Sequence, residues 1–379
     1  MITRYLEPMI RSRLFQGKAI ILMGARQTGK TTLLKNLVKG ENDVKWLNGD
    51  DLQTQSFFEN GSVERFRAEF ANVKILVVDE AQYIRDIGIR LKLVTDHLKD
   101  IQLIATGSSA FELANEINEP LTGRKWEYQL FPVSFSEMKN HNGLLKERSL
   151  LLHRLVYGYY PEIVTHPGDE KEILKSLTDS YLYKDILQWE RIQKPDRLLK
   201  LLQALAFQIG NEVTYPELGQ VTGLDPKTVE KYILLLEQTH IIFRLASFSR
   251  NLRNELKSSR KIYFYDNGIR NALISSFQVA ELRQDIGALW ENFLIAERKK
   301  WNQESGTWCN TYFWRTHEQQ EIDYIEERDG KLFAFEMKWN PKAKARFSKT
   351  FTRSYPESEV AVITRENFDG FLSENSTNL

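Results

Sequence analysis

A single cysteine, Cys309, in a chain of 379 residues leaves no disulfide to form and no cysteine-ligated zinc site. One thiol fits a reducing compartment. Histidine is sparse too. His97, His141, His153, His166, His240 and His317 stand far apart, so no close-spaced pair points to a histidine metal centre. No apolar run approaches the ~18 residues of a membrane span, and the longest, such as residues 20–23 and 233–236, are short. The opening Met-Ile-Thr-Arg-Tyr-Leu-Glu has no signal-peptide core, so a soluble cytoplasmic protein with no membrane partner is expected. Charge of one sign is missing: 52 Lys plus Arg stand against 51 Asp plus Glu. That balance excludes a globally polycationic nucleic-acid binder but not local basic patches. No Gly-x-Ser-x-Gly elbow occurs, and Cys309 has no catalytic context.

What is present is ordinary globular material, 42% hydrophobic and 27% charged, long enough for two to four domains. Residues 19–24, 44–47, 74–79 and 101–106 are short apolar runs separated by helix-length segments such as 88–98. Buried parallel strands read this way, so residues 1–140 are expected to form one α/β domain. Residues 141–196 have a helical pattern. Residues 197–265 read as three helices and a strand pair, with Asp225-Pro226 as cap and first turn of the third helix. Residues 266–379 mix a long helix over 285–301 with strands at 311–315, 321–327 and 331–338, and end in a frayed tail.

Gly24-Ala25-Arg26-Gln27-Thr28-Gly29-Lys30-Thr31 fits G-x-x-x-x-G-K-[ST], with Thr32 following. Glycines let backbone N–H groups wrap a phosphate, and the helix N-terminus adds its dipole. Lys30 would reach the β- and γ-phosphates and the Thr31 hydroxyl would ligate Mg²⁺. Such a string arises by chance in about one chain in eighty of this length. Here it also lies between an apolar strand and a helical pattern, which is the context the chemistry requires. Asp79, at the end of the run 75–79, would hold Mg²⁺ through water, and Glu80 would polarise the attacking water. Thr106 and Ser108 end the next strand and suit either γ-phosphate sensors or ordinary turn residues.

Two further regions carry charge in a pattern. Residues 212–245 contain a glycine turn between two helices, the helix-turn-helix signature, with Lys227, Thr228 and Lys231 as candidate contacts in a DNA groove. Arg244, Arg250, Arg253, Lys257, Arg260 and Lys261 follow with one acid, Glu255, and read as a basic wing or as a solvated edge. Farther on, Asp329-Gly330 between two strand-like runs signals a two-residue hairpin. If Arg328 faces Lys331, then Asp323 faces Glu336 and Glu321 faces Lys338. Alternation places these four on one face and Ile322, Tyr324, Phe333, Phe335 and Met337 on the other. Opposed acids call for a cation. Mg²⁺ on Asp323 and Glu336 would serve, with Lys338 stabilising charge and Glu291 as a third ligand or a helix-surface acid. One carboxyl of the pair should titrate late. Six basic residues with no acid, Lys338, Lys342, Lys344, Arg346, Lys349 and Arg353, flank the cluster and suit a polyanion or a solvated loop. Lysine neutralisation of the acids, with no cleavage activity, is the other reading.

The phosphate loop, Val78-Asp-Glu-Ala-Gln82, Thr106-Gly-Ser-Ser109, Leu121-Thr-Gly-Arg124 and Leu130-Phe-Pro-Val-Ser-Phe-Ser-Glu137 resemble, in this order, prokaryotic AAA-type ATPases with an AAA_14 core and a C-terminal DUF4143 region. Tyr157-Gly-Tyr-Tyr-Pro-Glu162, Tyr265-Asp-Asn-Gly268, Phe313-Trp-Arg315, Glu321-Ile-Asp323 and Glu336-Met-Lys338 continue the resemblance. It implies an α/β P-loop NTPase domain, a helical lid, a winged-helix segment and a C-terminal PD-(D/E)XK nuclease-like α/β domain. Ile322 stands where that nuclease pattern usually has proline. The resemblance also implies a homo-oligomer in which Arg124 acts on a neighbour's ATP, although a surface arginine paired with a nearby acid reads the same. The function expected is a Mg²⁺-dependent ATPase that binds DNA and carries a metal-dependent nuclease-like domain. The alternative is an ATP-gated DNA- or protein-binding module whose nuclease fold is inactive.

Overall fold

The computed structural model describes residues 1–107, 117, 120–181, 195–249, 260–316, 318–342 and 347–373, with the backbone alone at 180 and 181. Ser108, Arg250, Arg253, Glu255, Lys257, His317, Lys344 and Arg346 lie outside the described residues. The chain forms two units, one of Met1–Pro132 with Gln238–His240, the other of Val133–Glu237 with Ile241–Leu379.

In the first unit, helix α1 (Leu6–Arg11) precedes β1 (Ala19–Met23) and α2 (Lys30–Leu37). Then come β2 (Val44–Asn48), α3 (Leu52–Glu59), α4 (Val63–Glu69), β3 (Ile75–Asp79), α5 (Ile87–His97), β4 (Gln102–Gly107) and β5 (Lys125–Gln129). The strands make a parallel sheet in the order β2-β3-β4-β1-β5. The three inner strands are buried along their whole length, which is why they read as unbroken apolar runs. Successive side chains alternate between faces. Ala19, Ile21 and Met23 pack with Phe58, Phe66 and Leu91 of α3, α4 and α5, and Ile20 and Leu22 pack with Leu6, Ile10, Leu33 and Leu37 of α1 and α2. The edge strand β5, Lys-Trp-Glu-Tyr-Gln, is only half buried, so its polar alternation gave no strand signal.

The second unit is built on a seven-stranded sheet. Its elements include α6 (Pro195–Phe207), β6 (Glu212–Val213), α7 (Tyr215–Thr222), α8 (Pro226–Gln238), β7 (Ile242–Ser247) and β8 (Arg260–Phe264). They continue with α9 (Ile286–Glu304), β9 (Asn310–Arg315), β10 (Glu321–Arg328), β11 (Lys331–Met337) and β12 (Glu359–Ile363). As expected, Asp225 caps α8 by accepting from Thr228 N at 3.0 Å. The order β12-β11-β10-β9-β7-β8-β6 runs through the boundary expected at residue 265, because β7 pairs parallel with β9 at Ala246–Tyr312 and Ser247–Phe313.

The β10–β11 hairpin turns at Asp329 and Gly330, both left-handed (φ 49° and 77°), the pairing a two-residue turn demands. Its register runs from Arg328–Lys331 to Tyr324–Phe335, and beyond it Met337 N donates to the Asp323 carboxylate at 2.7 Å. Strict alternation fails one residue earlier. The pairing of β10 with β9 shifts between Ile322 and Ile325, so Ile322 joins Ile325, Leu332 and Ala334 in one apolar cluster instead of lying with Tyr324 and Phe335. A bulge adds a residue on one strand, and period-two reasoning cannot see it.

Helix α9 is more deeply buried than its apolar stripe of Leu289, Trp290, Phe293 and Leu294 predicts, for Arg298, Lys300 and Glu297 are buried as well. Arg298 forms a two-armed pair with Glu326 (2.9 and 3.0 Å), both side chains fully enclosed. Without Arg298 the buried Glu326 carboxylate loses its two-armed partner and keeps the longer Arg328 contact (3.4 Å) and the Asn302 amide (2.7 Å). Arg298→Met should therefore destabilise the chain by about 3–5 kcal/mol in urea unfolding, and Arg298→Met with Glu326→Gln should recover most of that loss. A single variant as stable as the parent would show that the pair is not structural.

Candidate nucleotide site and a lysine-neutralised acid cluster

The first site forms where β1 ends. The chain turns at Gly24, where a Cβ would run into the Leu130 carbonyl oxygen, so only glycine fits. Gln27 and Gly29 are left-handed (φ 57° and 93°), and the loop closes on α2 with Gly29 as its N-cap. Alternating backbone hands of this kind turn consecutive N–H groups to one side and make an anion-binding concavity. Lys30 is buried and its Nζ donates to the carbonyls of Gly24 (2.9 Å) and Ala25 (3.0 Å). Thr28 Oγ1 donates to Ala25 O at 2.8 Å. Gln27 and Thr32 are exposed, and Arg26 donates to the Tyr83 hydroxyl.

The acid at the end of β3 faces this loop. Asp79 Oδ2 accepts from Thr31 Oγ1 at 2.9 Å, and Asp79 Oδ1 accepts from Thr106 Oγ1 at 2.5 Å. A hydroxyl and a carboxylate this close are hard oxygen donors of the kind Mg²⁺ takes. Thr106 is fully buried and also accepts from Glu80 N at 3.0 Å. It thereby joins the Asp79 side chain to the backbone of Glu80. Glu80 is left-handed (φ 51°), and its Oε2 accepts from Gln82 Nε2 at 2.6 Å. Arg124 pairs with Asp96 of its own unit at 2.7 Å. Arg4 carried no motif signal, yet it spans the carbonyls of Thr28 (2.8 Å) and Phe131 (2.7 Å).

The second cluster belongs to the β8–β9–β10–β11 sheet and α9. Lys338 Nζ lies 2.6 Å from Glu336 Oε2 and 3.6 Å from Asp323 Oδ2, while Asp323 Oδ2 also accepts from Met337 N at 2.7 Å. Lys261, enclosed at 2% exposure, pairs with Glu291 Oε1 (3.1 Å) and with Glu321. Tyr263 donates its hydroxyl to Glu291 at 2.6 Å. Burial, with Asp323 adding repulsion, lifts Glu336 to about 7 against the pull of Lys338. Burial likewise lifts Glu291 to about 7, against Lys261 and with Asp323. Burial pulls Lys261 down, but Glu291 and Glu321 outweigh it and hold the ammonium charged. Among the described residues no three His, Cys, Asp or Glu side chains are placed to share a metal ion. Asp323 and Glu336, expected to hold a cation with Glu291 as a third ligand or a helix-surface acid, lie against Lys338, while Glu291 pairs with Lys261.

Of the residues read as a basic wing or a solvated edge, Arg244, Arg260 and Lys261 are described. Lys261 is committed to that cluster. Arg244 pairs with Glu237 (2.6 Å) and donates to the Tyr215 hydroxyl (2.8 Å), and Arg260 stacks over Tyr215. Lys227, Lys231, Lys342, Lys349 and Arg353 are exposed.

A model of an AAA domain matches residues 16–139. Models of two domains of unknown function match residues 148–280 (DUF8612) and 286–376 (DUF4143). An uncharacterized protein of Methanocaldococcus jannaschii is 23% identical over 313 residues, 77% of this chain and 68% of that protein. One of Haemophilus influenzae is 24% identical over 283 residues, 67% of this chain and 68% of that protein. A Walker-type ATPase of Pyrococcus abyssi has a similar structure, with a TM-score of 0.50 at 17% identity over 72% of this chain and 96% of that one. The chain thus carries an AAA-type ATPase domain and a DUF4143 region, on a mixed α/β fold with a parallel sheet like that of a P-loop ATPase. Among the described residues no helix is long and apolar enough to cross a membrane.

The lifted acids make a pH prediction. Between about pH 4.5 and 7 the folded chain keeps protons on Glu291 and Glu336 that the unfolded chain releases, so these groups lower stability as pH rises through that window. Glu336→Gln removes one of them. Its unfolding midpoint should fall less between pH 5 and pH 8 than the parent's, and parallel profiles would contradict the assignment.

Proposed function

We propose that the protein is a Mg²⁺-dependent ATPase whose hydrolytic site lies between the loop 24–31 and the end of β3. The observation that carries this reading is the Thr31–Asp79–Thr106 chain, which sets a hydroxyl and a carboxylate together beside the phosphate loop. Gly24, Ala25, Arg26, Gln27, Thr28, Gly29, Lys30, Thr31 and Thr32 form the nucleotide-binding segment. Lys30 neutralises phosphate charge, and Thr31 and Asp79 hold the cation's coordination shell. Bound Mg²⁺-ATP supplies the phosphoanhydride and spreads the charge that develops on it. Glu80 takes the proton of the attacking water, and Gln82 holds the Glu80 carboxylate until that water is present.

Lys30→Ala should raise the dissociation constant for ATP by at least about 100-fold. Glu80→Gln should leave affinity within about threefold and lower turnover by about 10²–10⁴. Turnover unchanged in both variants would refute the site. A homo-oligomer in which Arg124 reaches a neighbour's nucleotide requires the Asp96 pair to open, and a monomer at every concentration in ATP would rule it out.

For the second unit we favour a nucleotide-gated DNA-binding module with a nuclease-like but inactive cluster. The division of four carboxylates between Lys261 and Lys338 supports it. Residues 197–265 have the element order of a winged helix, with strands ordered β6-β8-β7 and Lys227 and Lys231 exposed on the second helix of the turn. Single- and double-stranded DNA incubated with Mg²⁺ or Mn²⁺, with and without ATP, should stay intact, while its affinity for the protein changes with nucleotide. Cleavage abolished by Asp323→Ala and Lys338→Ala, with ATP hydrolysis intact, would restore the nuclease reading.

A further inference from the structure

The N-terminal segment contributes a side chain to the phosphate loop that no motif contains. Arg4 is 9% exposed, and one arm of its guanidinium donates to Thr28 O at 2.8 Å. In a trans peptide the C=O and the following N–H point in opposite directions. Holding the Thr28 carbonyl outward therefore turns the Gly29 N–H inward, toward the concavity. Gly29 is the residue least able to keep that orientation unaided, since it has no Cβ and sits at φ 93°. The other arm of Arg4 donates to Phe131 O at 2.7 Å. Phe131 follows Leu130, whose N–H bonds Met23 O at 2.7 Å and whose carbonyl abuts Gly24. One planar fork thus ties the strand-side start of the loop to its helix-side end. Lysine, with one compact ammonium, cannot bridge both carbonyls in that geometry.

We propose that Arg4 is a positioning residue of the nucleotide site, aiming the Gly29 amide at the phosphates of a nucleoside triphosphate. The proposal rests on the ATPase reading and assigns Arg4 to phosphate affinity, with no part in the hydrolytic step. Its probes are ATP and inorganic tripolyphosphate, titrated into the full-length protein, because a defect in phosphate binding is the same with or without the nucleoside.

Arg4→Met should weaken both ligands by roughly ten- to a hundredfold, consistent with losing a preorganised donor to a charged phosphate. Turnover at saturating ATP should stay within about threefold, so KM moves and kcat does not. Arg4→Lys should fall between. In ¹⁵N-glycine-labelled protein the Gly29 amide resonance should shift on adding tripolyphosphate to the parent, and that shift should be lost in Arg4→Met. A folded Arg4→Met variant with parental affinity overturns the proposal, as does weakened affinity with the Gly29 shift intact. If Arg4→Met does not fold, Arg4→Lys and Arg4→Gln are judged on the same two readouts. A parent protein that binds neither ligand would instead overturn the ATPase reading itself.

Discussion

Charge withdrawn from water must be answered inside the fold, and that constraint shapes both units of this chain. In the first unit Asp79 is 7% exposed, and it is answered by two hydroxyls, Thr31 and Thr106, one on each carboxylate oxygen. Those bonds join the ends of β3 and β4 to the first turn of α2. In the second unit the answers are cations: Arg298 for Glu326, Lys338 for Glu336 and Asp323, Lys261 for Glu291 and Glu321. The difference matters for function. Hydroxyls are neutral and leave the carboxylate's charge available to a cation. Lysines consume it.

The phosphate loop meets a related constraint with backbone groups. Peptides that present N–H to an anion present their carbonyls to the protein, and those carbonyls need donors. Thr28 Oγ1 and Lys30 serve Ala25, Lys30 also serves Gly24, and Arg4 serves Thr28. Part of the rigidity of an anion site thus resides in groups behind it, such as Arg4, which contact no ligand themselves.

Some features were legible because they depend on local or periodic rules. The loop 24–31 needs glycine, lysine and threonine at set spacing, and the inner strands must be apolar on both faces. The Asp329-Gly330 turn sets the hairpin register, because two left-handed residues admit one pairing of the flanking strands. The half-buried edge strand β5 and the bulge near Ile322 were not legible. The first has no apolar pattern, and the second is an interruption of a pattern.

By itself, then, the sequence determined the parallel α/β sheet of the first unit, its phosphate loop, and the hairpin register from Arg328–Lys331 to Tyr324–Phe335. Each follows from residues near one another along the chain or paired across a single turn. Only the tertiary structure decided which charges meet. Lys261 read as a wing residue and Arg4 as part of an unremarkable N-terminus. Lys261 and Glu291 stand 30 residues apart, and Arg4 and Thr28 stand 24 apart. A long side chain is placed by the element that carries it, and the packing of that element depends on the whole core. Neutralisation of the acid cluster and anchorage of the phosphate loop are therefore properties of the assembled fold.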